Sequence, residues 1–336
     1  MKNIIAASIL MFPKLCFCQQ IKSESYVITT KVLDENQRGI FGAKVTASQD
    51  ELVAQAAIPQ SKPVRVNVMT DQDGVAVTNL SSVHPPTGIL VEKDGFYPST
   101  SKLDIERGDA GDNSHMARIE VVLKSVKNPI AMYAKDSRGD RAGYVRIPRL
   151  DTDFGYDLML GRALPPLGDG RVADFYFRVE GEYNDRNSNS LKLIVRCSNA
   201  SDGFIEFLPP RQHEMSGSQI GSLFISDYQA PDSGYVSVIN RSCSVSGGGM
   251  ERESDVDQRR NFYFRVRTSV DSSGRIVKAN YGKIYGDFDF SSGNLKKGTY
   301  ANIGIHTSYF NPESNDRNVE FDPKRNLLID GNVDRP

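Results

Sequence analysis

Tyr26-Val27-Ile28-Thr29-Thr30-Lys31-Val32, then Asp34-Glu35-Asn36-Gln37-Arg38-Gly39, then Ile40-Phe41-Gly42-Ala43-Lys44-Val45-Thr46-Ala47: an extended apolar run, a polar turn and a second run. This order decides the fold. β-branched and aromatic residues suit a pleated, half-buried surface, and the acidic, glycine-ended segment between them suits a turn. The same order continues through the turn Thr70-Asp71-Gln72-Asp73-Gly74 to Leu90-Val91-Glu92-Lys93-Asp94-Gly95-Phe96-Tyr97 and closes at Leu123. Asp71 to Gly74 lacks the twelfth-position acid of an EF-hand loop and reads as a hairpin turn with glycine at positive φ.

Outward from this stretch, short alternating runs recur at Val64–Val68, Arg118–Leu123, Leu191–Val195 and Tyr235–Ile239. Turn dipeptides separate them. Many short strands with such punctuation predict an all-β protein of two β-sandwich domains. The best helix candidate, Glu51 to Ile58, is weak. Phe175-Tyr176-Phe177-Arg178-Val179 returns as Phe262-Tyr263-Phe264-Arg265-Val266. Alternation puts the two phenylalanines of each run on one face and the tyrosine on the other. The plain reading is two core strands of one sandwich.

The expected layout is an export signal at 1–18, a first sandwich at 23–126, a linker at 127–150, a second sandwich at 151–329 and a tail at 330–336. Lys2 gives a positive start, Ile4 to Phe12 is an apolar run too short for a bilayer, and Cys16-Phe17-Cys18 precedes a cut ahead of Gln19. Pro13 and Lys14 interrupt that pattern. A lipid anchor on Cys16 or Cys18 ranks second, because Phe17 is bulky. A disordered or core-packed N-terminus is the bland alternative. Pro129 and Pro148 stiffen the linker, and its Arg138-Gly139-Asp140 triplet reads as exposed loop. No later segment has the run of apolar residues a membrane span needs.

With 41 basic and 42 acidic side chains, net charge is −1. No field favours nucleic acid, and none is expected as a partner. Once the signal is cut, Cys197 and Cys243 remain. In an oxidising compartment they read either as a disulfide or as two buried thiols. No cysteine or histidine cluster has zinc spacing.

Two resemblances follow from these residues. Val27 to Leu123 resembles the carboxypeptidase regulatory-like (prealbumin-like) β-sandwich, through Gly39–Val45, Thr70–Gly74 and Gly95-Phe96-Tyr97. The insertion around Gln49 to Pro63 departs from its compact form. From Asn128 onward the chain resembles an uncharacterised C-terminal region of secreted bacterial proteins. The stretches that carry this are Gly155–Met159, Ala230–Tyr235, Tyr281–Phe288 and Asn311–Leu327. The resemblances imply a prealbumin/Ig-like first domain and export; they assign no site residues.

Candidate chemistry is sparse. Asp316, Asn318, Glu320 and Asp322 fall on one face of an extended segment, and their oxygens suit calcium. Arg317 and Lys324 favour the alternative, an ion-pair and turn network that docks the C-terminus. Asp151, Asp153 and Asp157 read as calcium ligands, a carboxylate pair, or solvated loop. His84, His115, His213 and His306 have no catalytic context, His213-Glu214 lacks a zincin's second histidine, and no Gly-x-Ser-x-Gly elbow occurs. Gly247-Gly248-Gly249 reads as a turn. With no tryptophan among the residues, sugar stacking would fall to tyrosines such as Tyr281 and Tyr285, for which a core-and-rim role is the plainer reading.

The expectation is an exported, non-catalytic binding, adhesion or structural protein of the cell envelope. It has no cofactor other than calcium, and its partner is a glycan or an envelope protein. The alternative is a secreted hydrolase, or its accessory subunit, using Asp and Glu of the second domain.

Overall fold

The computed structural model describes residues 23–52, 61–82, 84–107, 114–136, 144–209, 221–295 and 298–336. The expected export signal with Cys16 and Cys18, the Arg138-Gly139-Asp140 triplet and His213-Glu214 lie outside the described residues. So do residues 53–58 of the helix candidate; Glu51 and Leu52 close a strand. The protein is all-β, with no α-helix among the described residues. No helix there is long and apolar enough to cross a membrane. Two compact units form. The first holds the described residues up to Leu33, Arg38–Val91 and Ser101–Val121; the second holds Asp34–Gln37, Glu92–Thr100 and Val122–Pro336.

The first unit is built from β1 (Glu24–Leu33), β2 (Lys44–Leu52), β3 (Ser61–Met69), β4 (Val75–Ser82), β5 (Gly88–Glu92), β6 (Ser99–Lys102), β7 (Glu106–Arg107) and β8 (Ser114–Val122). They form two sheets, ordered β4-β1-β8-β7 and β6-β5-β2-β3. Tyr26, Ile28 and Val32 alternate inward from β1 and Ala76 and Leu80 from β4, while Val45, Ala47, Ile89 and Val91 bury from the other sheet. The turn after β3 has the expected chemistry: Asp71 Oδ1 accepts the N–H groups of Asp73 and Val75, and Gly74 has φ +77. A Cβ at Gly74 would meet the Val32 carbonyl at 2.5 Å. It is not a hairpin turn, because β3 and β4 lie in different sheets. The turn carries the chain from one layer to the other.

The second unit contains β9 (Ile130–Asp136), β10 (Val145–Ile147), β11 (Phe154–Asp157), β12 (Arg162–Ala163), β13 (Phe175–Asp185), β14 (Ser188–Cys197), β15 (Gly203–Phe207), β16 (Gly221–Ser222), β17 (Val238–Ser246), β18 (Glu251–Ser254), β19 (Asn261–Val270), β20 (Ile276–Leu295), β21 (Gly298–Phe310) and β22 (Phe321–Asn326). Gly247–Gly249 makes a single 3-10 turn before β18. A six-stranded sheet runs β12-β11-β13-β14-β17-β18; a seven-stranded sheet runs β15-β19-β20-β21-β9-β22, with β10 beside β21.

The repeated Phe-Tyr-Phe-Arg-Val runs are core strands on opposite sheets. Phe175 and Phe177 come from β13, Phe262 and Phe264 from β19, and all four are buried in one cluster with Phe204, Ile284 and Phe288. Phe175 meets Phe204 at 4.7 Å and stands edge-on to Phe264 at 5.6 Å. Each such ring is worth about 1.5–3 kcal/mol on burial. The two runs differ on their other faces: Tyr176 is half-buried, whereas Tyr263 is buried in a second cluster. That cluster lies on the far face of the seven-stranded sheet, under the chain around Phe224–Tyr235 and Val319, with Val333 of the tail. Both faces of this sheet are therefore covered, which is why Phe262, Tyr263 and Phe264 are buried in succession.

Two expectations about boundaries change. Residues 127–150 are not a linker: β9 sits between β21 and β22, and Tyr133 and Ala134 face Phe310 and Tyr309. Pro129 and Pro148 bracket strands rather than stiffen a spacer. Residues 330–336 are not a loose tail either. Val333 is buried, and the Asp136 N–H donates to the Gly331 carbonyl.

Candidate functional site

The expected calcium ligands sit in the C-terminal segment of the second unit, and their oxygens are engaged within that unit. Glu320 is buried and accepts from the Tyr97 hydroxyl at 2.7 Å and from the N–H groups of Lys127 and Asn128 at 2.8 and 2.6 Å. Asn318 donates to the Asn128 carbonyl and accepts from the Glu320 N–H. Asp316 accepts from the Asn318 N–H and from Asn311, and Asp322 pairs with Arg325 at 2.7 Å. Among the described residues no group of three or more His, Cys, Asp or Glu side chains is gathered to hold a metal.

Asp151, Asp153 and Asp157 do not converge on a common point. Asp153 pairs with Arg196 on the sheet surface at 2.9 Å. Asp157 turns inward and accepts from the N–H groups of Met159, Leu160, Arg171 and Val172 and from Arg267. Arg267 also holds the buried Asp174 through two nitrogens, at 2.8 and 2.9 Å, and its guanidinium lies over Phe310. Burial pushes the Asp174 carboxyl above the ordinary aspartate range, and Arg267 pulls against that shift. The fold thus brings these two carboxylates together, and both are spent on one arginine and on backbone donors.

A second clamp joins the sheets. Gly286 has φ +90 at a bulge where the β20–β21 register shifts between Tyr285 and Phe288. An extra residue at a bulge redirects the side chains that follow, and Asp287 is delivered into the core, fully buried. It meets Arg241 of β17 at 2.8 Å and Arg260 at 3.4 Å, and both arginines reach Glu206.

Cys197 and Cys243 are free. They stand on neighbouring strands, but Cys243 faces Leu191, six residues along β14 from Cys197. At ~3.3 Å per residue that is about 20 Å, far beyond the reach of a disulfide. Burial pushes both thiols up. Tyr281 and Tyr285 are buried core residues, and none of the fourteen tyrosines is more than half-exposed.

Sequence reasoning passed over Lys283. It lies between these two tyrosines on the covered face of β20, without solvent exposure. Its Nζ is 2.7 Å from the Tyr285 hydroxyl and 3.3 Å from Ser226 Oγ, and those hydroxyls are 3.2 Å apart. Serine, lysine and tyrosine are groups that acyl transfer uses, but here all three are sealed in the core. The signal was present in Tyr281-Gly282-Lys283-Ile284-Tyr285, where period two puts the lysine on the tyrosine face.

The outer face of the six-stranded sheet is open. Register aligns its side chains in rows across β13, β14 and β17: Tyr176, Arg196 and Val238; Arg178, Ile194 and Asn240; Glu180, Lys192 and Ser242. All nine are half-buried or exposed. Arg196 lies over the Tyr176 ring at 4.4 Å, and Arg178 pairs with Glu180 at 2.7 Å. The face offers cations, a carboxylate, an amide and a hydroxyl beside one aromatic ring, on a rigid support.

The sequence matches no protein-family model and no curated protein. Among the solved structures to which the chain is similar are three intradiol-type dioxygenases. The 3-chlorocatechol 1,2-dioxygenase from Rhodococcus opacus matches at 10% identity and a TM-score of 0.26, over 32% of this chain and 62% of that one. The intradiol ring-cleavage dioxygenase from Tetranychus urticae matches at 10% identity and 0.24, over 33% and 85%. The hydroxyquinol 1,2-dioxygenase from Pseudomonas putida matches at 12% identity and 0.22, over 31% and 57%. This chain thus spans less than two thirds of the first of them, and a likeness this slight carries no statement about chemistry.

Proposed function

We propose that this chain is an exported, non-catalytic binding protein of the cell envelope. Its partner, a glycan or another envelope protein, is held on the outer face of the six-stranded sheet. One observation carries this reading: the rows Tyr176-Arg196-Val238, Arg178-Ile194-Asn240 and Glu180-Lys192-Ser242 lie open on one continuous face. Such rows present hydrogen-bond donors and acceptors at strand spacing, which suits a polar, extended partner. The first unit serves as a prealbumin-like spacer. The apolar run Ile4 to Phe12 behind Lys2 supports export.

The hydrolase alternative requires an acid and a base facing a substrate. Asp157 and Asp174 face Arg267 instead, so the geometry favours recognition. The test is binding of envelope glycans and solubilised envelope proteins to the exported chain, wild type against Arg196→Glu. Saturable binding that the substitution weakens supports the reading. Hydrolysis of a glycan or peptide abolished by Asp174→Asn would overturn it.

A further inference from the structure

Lys283 is enclosed on every side that the fold describes. Along the sheet it stands between Tyr263 of β19 and Tyr309 of β21. The rings of Phe224, Tyr285 and Tyr309 lie 4.5, 4.5 and 4.7 Å from its Nζ. The segment Leu223–Tyr228 forms the cover. Phe224 packs at a tilt against the Tyr97 ring, 5.0 Å between centroids, the Asp227 N–H donates to the Tyr263 hydroxyl at 2.6 Å, and Lys124 Nζ donates to the Ser226 carbonyl at 2.7 Å.

The charges facing this lysine do not neutralise it. Lys124, beyond β8, and Arg335, in the C-terminal segment, are cations that disfavour a further positive charge; Glu320 favours one. Glu320 is already held by Tyr97, Lys127 and Asn128. The other titratable groups around it are Tyr285, whose hydroxyl it meets, and Tyr309, whose ring lies near its Nζ, with Tyr263 beside it on β19, Asp227 in the cover and Tyr97 against Phe224 of the cover. Burial pushes the Tyr285 phenol up to about 12, so no phenolate supplies a counter-charge at neutral pH. An ammonium here would lose its water and gain two hydroxyls and three ring faces, without a paired anion.

We infer that Lys283 is an acid-sensitive latch: taking up a proton there releases the Leu223–Tyr228 cover from the tyrosine-bearing face of the seven-stranded sheet. Burial holds the amine well below the ordinary lysine range in the closed form. In the opened form it is hydrated and ordinary. The opened form therefore binds more protons between the two values, and acid favours opening. The opening constant rises about tenfold for each pH unit lost within that window and levels off below it. Opening presents Tyr263, Tyr285 and Tyr309 to solvent.

Hydrogen exchange of the cover, on the full chain between pH 5 and pH 9, tests this after correction for intrinsic exchange rates. The expected result is an opening constant in the wild type that climbs by about tenfold per unit of acidification over part of the range, and one in Lys283→Met that stays flat. A flat wild type, or the same slope in both proteins, would overturn the latch. Should Lys283→Met fail to fold, NMR of lysine side chains labelled at Cε is read beside the exchange data in the wild type alone. A Lys283 resonance titrating below the other lysines, together with a cover-opening constant that climbs on acidification above that value, upholds the proposal; a resonance titrating with the other lysines, or a flat opening constant, overturns it.

Discussion

Arg241 Nε lies 2.9 and 2.8 Å from the two oxygens of Asp287, and the pair ties β17 of one sheet to β20 of the other. Asp287 is fully buried and Arg241 nearly so. Removing one partner leaves an uncompensated buried charge. Asp287→Ala should cost about 3–5 kcal/mol of unfolding free energy, measured by urea denaturation. The double change Arg241→Met with Asp287→Leu should cost less than that single change, because a buried pair replaced by apolar groups is near neutral.

Asp157 accepts from four backbone N–H groups and Arg267, so its role is to knit the chain before β13. Asp157→Ala should destabilise the second unit by about 3–5 kcal/mol. A catalytic carboxylate would behave differently, leaving the melting temperature near wild type. Thermal melting separates the two.

Gly286 takes φ +90 at the bulge that aims Asp287 inward, and a Cβ there would meet the His306 ring at 3.0 Å. Gly286→Ala should cost about 1–3 kcal/mol through strain at that backbone angle. The same urea titration reads it.

The strand runs were legible because one side of each faces a core: Leu191, Leu193 and Val195 alternate inward as their spacing requires. The meeting of Phe175 with Phe264 was half legible. Period two gives the face of each run but not the sheet on which it lies. A sheet covered on both sides defeats the pattern, so Tyr281 and Tyr285 read as core-and-rim residues and Lys283 drew no reading, although all three are buried. The linker was misjudged for a related reason: Ile130–Asp136 finds its partners, Thr307–Phe310, far along the chain. Asp157 and Asp174 gave no sign of their roles, since the arginine that gathers them lies about a hundred residues on.

Cys197 and Cys243 are unbridged, with both thiols pushed up by burial. Native protein at pH 8 should resist alkylation by iodoacetamide at Cys197, while urea-unfolded protein takes up label at both. Peptide mass spectrometry without reductant should find no peptide that joins them.

The most direct measurement is binding of envelope glycans and solubilised envelope proteins to wild type and Arg196→Glu chains of matched melting temperature. Arg196 covers the Tyr176 ring and pairs with Asp153 on the open face, so charge reversal alters that surface alone. The account predicts saturable binding by the wild type and at least a tenfold loss in the variant, about 1.4 kcal/mol. Equal binding by both proteins, or binding by neither, would contradict it.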